Sequence, residues 1–261
     1  MKLEITKQLI NELQSISRTA GAEILKVYQC EDFDVQQKND DSPLTRADTA
    51  ANKIICEGLR RLTPDIPIIS EENTIPPYNV RNKYKLYWLI DPLDGTKEFI
   101  KRNGDFTTNI ALISDCRSVL GMVFVPDLDQ LYWAAEGMGA HKIVEGESKP
   151  IRVRSFNAAE KGLTITCSRS HLNEDTRRYI SQYNEPILDK VGSSLKLMRI
   201  AEGKADIYPR LGPISEWDIA ASHIIVEEAG GSVLQYPDQT SICYNKENLL
   251  MPYFVVEGKR L

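Results

Sequence analysis

The sequence predicts a mixed α/β (α+β) protein in which helices pack on sheets. Two amphipathic helical patterns open the chain, a meander of β-rich runs fills its middle, and strands alternate with helices to the end. Its 261 residues, 42% hydrophobic and 26% charged, make one large domain or two intimate halves, long enough to bury a substantial core.

Over residues 3–28, Leu9, Leu13, Ile16, Ala20, Ile24 and Val27 recur at three- and four-residue steps and predict one helix. The stretch EDFDVQQKNDDSP that follows is too polar for a core. A second helix is expected over residues 44–62, with Ala47, Ala51, Ile54, Ile55 and Leu62 inward and Thr63-Pro64 ending it. Runs rich in β-formers then predict strands at 66–69, 84–90, 106–114 and 118–126, which QLYWAAEG and AHKIV extend as a meander. The segment at 145–155 reads as a polar connection. A boundary near 150 therefore separates an N-terminal half, 1–150, with most of the candidate ligands, from a C-terminal half, 151–261; together they form one functional unit. In the second half, strands at 162–168, 187–192, 205–209, 231–236 and 253–258 alternate with helices at 174–183, 194–203 and 217–229.

Lys plus Arg number 32 and Asp plus Glu 37, a formal charge of −5. An acidic chain argues against long nucleic acid as a partner, which calls for a basic surplus. The five cysteines, at 30, 56, 116, 167 and 243, are odd in number and include no CxxC. Free thiols in a reducing cytoplasm are the expectation. No run approaches the ~18 apolar residues of a membrane span, and acids and amides interrupt any signal-peptide core in MKLEITKQLINELQ.

The most informative segment is Asp91-Pro92-Leu93-Asp94-Gly95-Thr96. It follows the apolar run YKLYWLI, and Pro lacks the N–H needed to continue a ladder, so the chain is expected to leave the sheet there. Two acids three apart across a tight turn repel unless one is protonated or a cation lies between them. Oxygen-only ligation suits Mg²⁺, which bridges carboxylates to substrate phosphate. The alternative is an ordinary Asx-type turn. Glu71, with Glu72 beside it, also leaves a strand end. Asp218 opens a helix after Trp217, where a first-turn acid can simply stabilise the dipole. Asp48 stands three after Thr45 in a capping-box pattern. Other chemistries lack support: there is no HExxH, GxSxG, Walker A loop or GxGxxG. The D-x-D-G-T element of aspartyl-phosphate phosphatases spaces its acids by two, against three here.

Glu71-Glu72, Asp91-Pro92-Leu93-Asp94-Gly95-Thr96 and Trp217-Asp218-Ile219-Ala220-Ala221 resemble, in that order, the signature of the lithium-sensitive, Mg²⁺-dependent inositol monophosphatase superfamily. The resemblance covers nearly the whole chain and implies a layered α-β-α-β-α sandwich of the inositol monophosphatase/fructose-1,6-bisphosphatase type. DPLDGTKEFIKRNGDFTTNIALI, SRSH at 168–171, GSSLK at 192–196 and YPR at 208–210 are most similar to the CysQ-type 3′(2′),5′-bisphosphate nucleotidases. That subfamily removes the 3′-phosphate of adenosine 3′,5′-bisphosphate, leaving AMP and phosphate, and so clears a by-product of sulfate assimilation. By resemblance, Glu71, Asp91 and the Leu93 carbonyl would hold one Mg²⁺. Asp91, Asp94 and Asp218 would hold a second, and a third, weaker ion would lie near Glu71. Asp48 and the Thr96 hydroxyl correspond to the pair that orients and deprotonates water. Gly95, Thr96 and Lys97, with Glu71, Asp94 and Asp218, would meet the phosphate; Ser168, His171, Ser193 and Lys196 would hold the rest of the nucleotide.

The alternative on the same scaffold is an inositol monophosphatase or related sugar phosphatase. A catalytically silent binding protein would have lost a ligand or the water base, whereas all five acids and Thr96 stand. Relatives occur as monomers and as homodimers, and the subfamily admits peripheral association with the inner membrane. The charge count now reads differently. Without these five acids, acids and bases balance at 32 each, so the excess charge falls on one site that bound Mg²⁺ would invert.

Overall fold

The computed structural model describes residues 3–30, 32–37, 43–169 and 172–261. Helix α1 (Lys7–Tyr28) starts four residues later than the apolar pattern suggests, because the Thr6 side chain accepts the Leu9 N–H and caps it. Strands β1 (Gln36–Gln37) and β2 (Pro43–Leu44) pair and lead into α2 (Arg46–Leu62).

The meander becomes a seven-stranded sheet in the order β3 (Ile68–Ser70), β4 (Leu86–Asp94), β5 (Thr107–Ser114), β6 (Arg117–Val125), β7 (Gln130–Ala135), β8 (Gly139–Val144) and β9 (Glu147–Pro150). Only β3 runs parallel to its neighbour β4; the other pairings are antiparallel. Short helices α3 (Tyr78–Arg81) and α4 (Thr96–Ile100) flank β4. After β10 (Ser155–Phe156), a five-stranded sheet takes β11 (Thr164–Cys167), β12 (Ile187–Lys190), β13 (Ile207–Arg210), β14 (Ser232–Gln235) and β15 (Phe254–Glu257). Its order is β12-β11-β13-β15-β14, and β16 (Lys259–Arg260) returns to pair with β10. Helices α5 (Glu174–Ile180), α6 (Leu195–Ala201) and α7 (Glu216–Glu228) connect these strands.

The two-residue period of the strands sorts the core into layers. Trp88 and Ile90 pack with α1 and α2, whereas Tyr87 and Leu89 pack with α6 and α7. On the second sheet Phe254 and Val256 join the same central layer, while Ile207 and Val255 face Tyr179 and Ile180 of α5. The result is the layered α-β-α-β-α order. Helix α7 lies so close to β6 that a Cβ on Gly121 would stand 2.0 Å from the Ala221 carbonyl oxygen; only glycine fits there.

Two expectations need correction. The chain does not leave the sheet at Asp91-Pro92. Strand β4 continues to Asp94, with Asp91 opposite Asn109 and Asp94 opposite Thr107. One extra residue is accommodated as a bulge, which tolerates Pro92 without a ladder bond. The parallel neighbour β3 has already ended opposite Ile90, so one side of Asp91 is open. The polar segment at 145–155 also contains β9, an edge strand whose four residues are all exposed. It carries no alternating pattern because neither of its faces is covered.

Candidate active site

The acids converge where the two sheets meet across α7. Glu71 follows β3, and its N–H donates to the Ile90 carbonyl at 3.2 Å. Asp91 sits on the bulge of β4, and Asp218 in the first turn of α7. Carboxylate oxygens of these three lie within 4.8 Å of one another. Asp94, at the end of β4, stands outside that triad but close enough to act electrostatically on both Asp91 and Asp218.

Burial, followed by the charges of Glu71, Asp94 and Asp218, raises the Asp91 carboxyl well above the carboxylate range. Burial, then Asp94 and Glu71, pushes Asp218 up to about 8. Asp94 is raised chiefly by burial, against the opposing pull of Lys196 and Ser194. One Asp91 oxygen accepts the Leu93 N–H at 3.0 Å. The other, Oδ2, is buried with no hydrogen-bond donor. An all-oxygen set with one orphaned buried acceptor fits a hard divalent cation and disfavours the protein alone.

Because folded apo Asp218 and Asp91 hold protons that the unfolded chain would release near pH 4, their contribution to stability is lost as pH rises through about 8. A cation competes with those protons. The Tm of metal-free protein should fall from about pH 5 to about pH 8 and level off above it, and the Tm gain from millimolar Mg²⁺ should grow over the same range. Thermal melts at three pH values check this; a Mg²⁺ shift independent of pH would contradict it.

The remaining candidates surround a cleft of about 690 Å³ whose walls include Glu71, Asp94, Gly95, Thr96, Lys97, Ser168, Ser193, Lys196 and Asp218. Gly95 adopts φ 90°, and a Cβ there would stand 2.8 Å from the Asp105 carbonyl oxygen, so glycine is required at the turn into α4. Leu93 is buried, and its carbonyl lies 3.2 Å from the Thr96 hydroxyl. That hydroxyl also donates to Asp48 Oδ1 at 3.1 Å. Asp48 Oδ2 accepts both the Thr45 N–H (2.8 Å) and the Thr45 hydroxyl (2.6 Å). Capping and a turn towards the site therefore coexist in one carboxylate. Asp218 repeats the arrangement, one oxygen accepting the Ser215 N–H at 2.9 Å. Lys196 donates to the Ser193 carbonyl at 2.7 Å, and burial lowers its ammonium to about 8 although Asp94 pulls it back up. His171 lies outside the described residues.

Sequence reasoning missed two groups. Arg210 lines the cleft beside Lys196. Asn109 is fully buried, and its amide donates to Ser194 Oγ at 3.0 Å and reaches Asp94 Oδ2 and the Asp218 carbonyl at 3.5 Å each. Ser194 Oγ in turn donates to the Asp218 carbonyl at 2.8 Å. An amide inside the buried run FTTNIALIS was the available signal, since polar groups enter a buried strand only with partners. Asn109→Ala should weaken apparent Mg²⁺ affinity by roughly 10–100-fold, as loss of a ligand-orienting contact does. A Mg²⁺ titration of activity reads this out; an unchanged curve would reduce Asn109 to a packing residue.

Comparison with known proteins places the chain in a family. The profile of the inositol monophosphatase family matches residues 6–258. The protein of Salmonella typhimurium named 3′(2′),5′-bisphosphate nucleotidase CysQ is 45% identical over 95% of this chain and 99% of its own length. Its namesake in Escherichia coli K12 is 43% identical with the same coverage. The crystal structure of CysQ from Bacteroides thetaiotaomicron, 39% identical, superposes with a TM-score of 0.83 over 96% of this chain and 98% of that one. An IMPase of Thermotoga maritima, 26% identical, gives 0.79 over 97% and 92%. With its acids gathered at the junction of two sheets in the layer order these relatives share, the chain belongs to the inositol monophosphatase family.

Proposed function

We infer that this chain is a Mg²⁺-dependent 3′(2′),5′-bisphosphate nucleotidase that hydrolyses the 3′-phosphate of adenosine 3′,5′-bisphosphate to AMP and phosphate. The observation that carries the reading is near-full-length identity of 43–45% to proteins of that name, in a chain whose Glu71, Asp91 and Asp218 oxygens gather within 4.8 Å. Glu71, Asp91, Asp94, Asp218 and the Leu93 carbonyl would hold two Mg²⁺, and a third would lie near Glu71. Bound there, the ions supply charge neutralisation for the phosphoryl oxygens and acidify water.

The chain's own groups do the rest. Asp48, pinned by Thr45 through one oxygen, presents the other to the Thr96 hydroxyl. The Thr96 proton can pass to Asp48 while its lone pair accepts a proton from the attacking water, so the pair orients and deprotonates the nucleophile. The N–H groups of Gly95, Thr96 and Lys97 open α4, and the first turn of a helix offers donors to phosphate oxygens. Lys196 and Arg210 place two further cations in the cleft, as a substrate with a second phosphate needs. Ser168 and Ser193 border the same space and would contact the nucleoside.

Among the described residues no helix is long and apolar enough to cross a membrane. Purified protein with Mg²⁺ and adenosine 3′,5′-bisphosphate should release phosphate and leave 5′-AMP. No release above that of Asp94→Asn protein would overturn the reading. A higher kcat/KM for inositol 1-phosphate would move it to the sugar-phosphatase alternative.

A further inference from the structure

All five cysteines are free thiols; Cys56 and Cys167 are buried, and Cys30, Cys116 and Cys243 are exposed. Two of the exposed three meet. Cys116 lies at the tip of the β5–β6 hairpin in left-handed backbone (φ 68°). Cys243 lies in the connection between β14 and β15 of the other sheet. The Tyr244 N–H donates to the Cys116 carbonyl at 3.0 Å, so the two backbones run at hydrogen-bonding distance. The Cys243 thiol donates to the Tyr244 carbonyl at 3.5 Å and is near enough to the Cys116 thiol to feel it electrostatically. Cys30, by contrast, donates to the Lys26 carbonyl in the last turn of α1, just before it.

The segment after Cys243 bears on the site. The N–H groups of Asn245 and Lys246 donate to the two oxygens of Glu216 at 2.6 and 3.1 Å. Lys246 Nζ joins Glu216 to the Cys243 carbonyl. Glu216 is fully buried in the first turn of α7, two residues before Asp218. Asn245 also exchanges hydrogen bonds with Arg81, next to β4. Whatever fixes residues 243–246 fixes the start of α7.

We propose that Cys116 and Cys243 form a reversible disulfide that clamps the Glu216-holding segment of the second sheet onto the hairpin tip of the first. The oxidant is a low-molecular-weight disulfide such as oxidised glutathione. Burial, then the Cys116 thiol beside it, pushes the Cys243 thiol up to about 11, which disfavours Cys243 as the first attacking thiolate. Cys116 sulfur attacks one glutathione sulfur, forming a mixed disulfide and expelling one glutathione thiolate. Cys243, losing its proton to solvent, then attacks the Cys116 sulfur; the mixed bond breaks and the second glutathione leaves. Two protein thiols are oxidised and one external disulfide is reduced to two thiols. The loop that closes spans nearly half the chain, which is where a cross-link restricts the unfolded state most.

The test uses the full chain, treated with oxidised glutathione, alkylated and mapped by mass spectrometry. A peptide joining Cys116 to Cys243 should dominate, with Cys30 carrying only a glutathione adduct. Tm should rise by about 5 °C or more and return on adding dithiothreitol. Cys116→Ser and Cys243→Ser, both at exposed positions, should each abolish the cross-link and the Tm rise. Separate glutathione adducts on Cys116 and Cys243 with no cross-link would overturn the proposal. So would a cross-link that leaves Tm unchanged.

Discussion

Asp91→Asn should cost the enzyme about 10³-fold or more in kcat/KM while leaving the metal-free protein as stable as the parent, or more stable. Both halves of that result follow from one geometry. Asp91 Oδ1 accepts the Leu93 N–H, a contact the amide oxygen of Asn keeps. Asp91 Oδ2 has no donor and faces other carboxylates, so an amide –NH₂ in its place gives the Asp218 oxygens something to accept without the proton that the Asp91 carboxyl must take up there. Most buried polar substitutions destabilise; this one relieves strain that cations otherwise relieve. The same –NH₂ points a dipole of the wrong sign at a cation, and several kcal/mol of transition-state charge stabilisation goes with the lost ligand. Phosphate release and thermal melts without Mg²⁺, run in parallel, check the pair. A variant that loses stability and activity together would make Asp91 a structural residue of the bulge.

How much of this was legible in the sequence depended on whether the cause was local. Apolar runs rich in β-formers located the inner strands because both faces of those strands are covered. It failed at β9, where exposure of every residue erases the pattern. Pro92 read as a terminator because a missing N–H usually is one; the bulge opposite Asn109 and Thr107 is a property of the partner strand, which spacing cannot show. The Thr45–Asp48 cap was legible as a motif, but its second contact to Thr96 joins residues 48 apart in sequence. Convergence of Glu71 and Asp91 with Asp218 came from the family resemblance, not from their separation. Asn109 was passed over because it sits inside a run whose other residues announce only a strand, and Arg210 because YPR carried a resemblance but no role for its arginine. In each case the partner that gives the side chain its role comes from another element of the chain.

Asp48→Asn should separate the cap from the base. The amide oxygen can still accept the Thr45 N–H, so α2 keeps its start, whereas replacement by Ala would forfeit about 1 kcal/mol of capping. With that oxygen fixed, the –NH₂ takes the place of Asp48 Oδ1 and points at the Thr96 hydroxyl. The hydrogen bond reverses. The hydroxyl then donates to the Leu93 carbonyl, 3.2 Å away, which is no base for its proton. Its second lone pair can still meet water, but with no carboxylate to take the Thr96 proton the water cannot be deprotonated, and kcat should fall by roughly 10²–10⁴-fold, the usual worth of a positioned base. Asp48 is not among the three residues whose oxygens gather within 4.8 Å, so Mg²⁺ affinity and Tm should stay near those of the parent. The pattern to look for is a collapse in kcat at nearly constant KM and Mg²⁺ dependence. Near-normal kcat in Asp48→Asn would mean that the carboxylate caps α2 and does nothing more, and that Thr96 acts with another base.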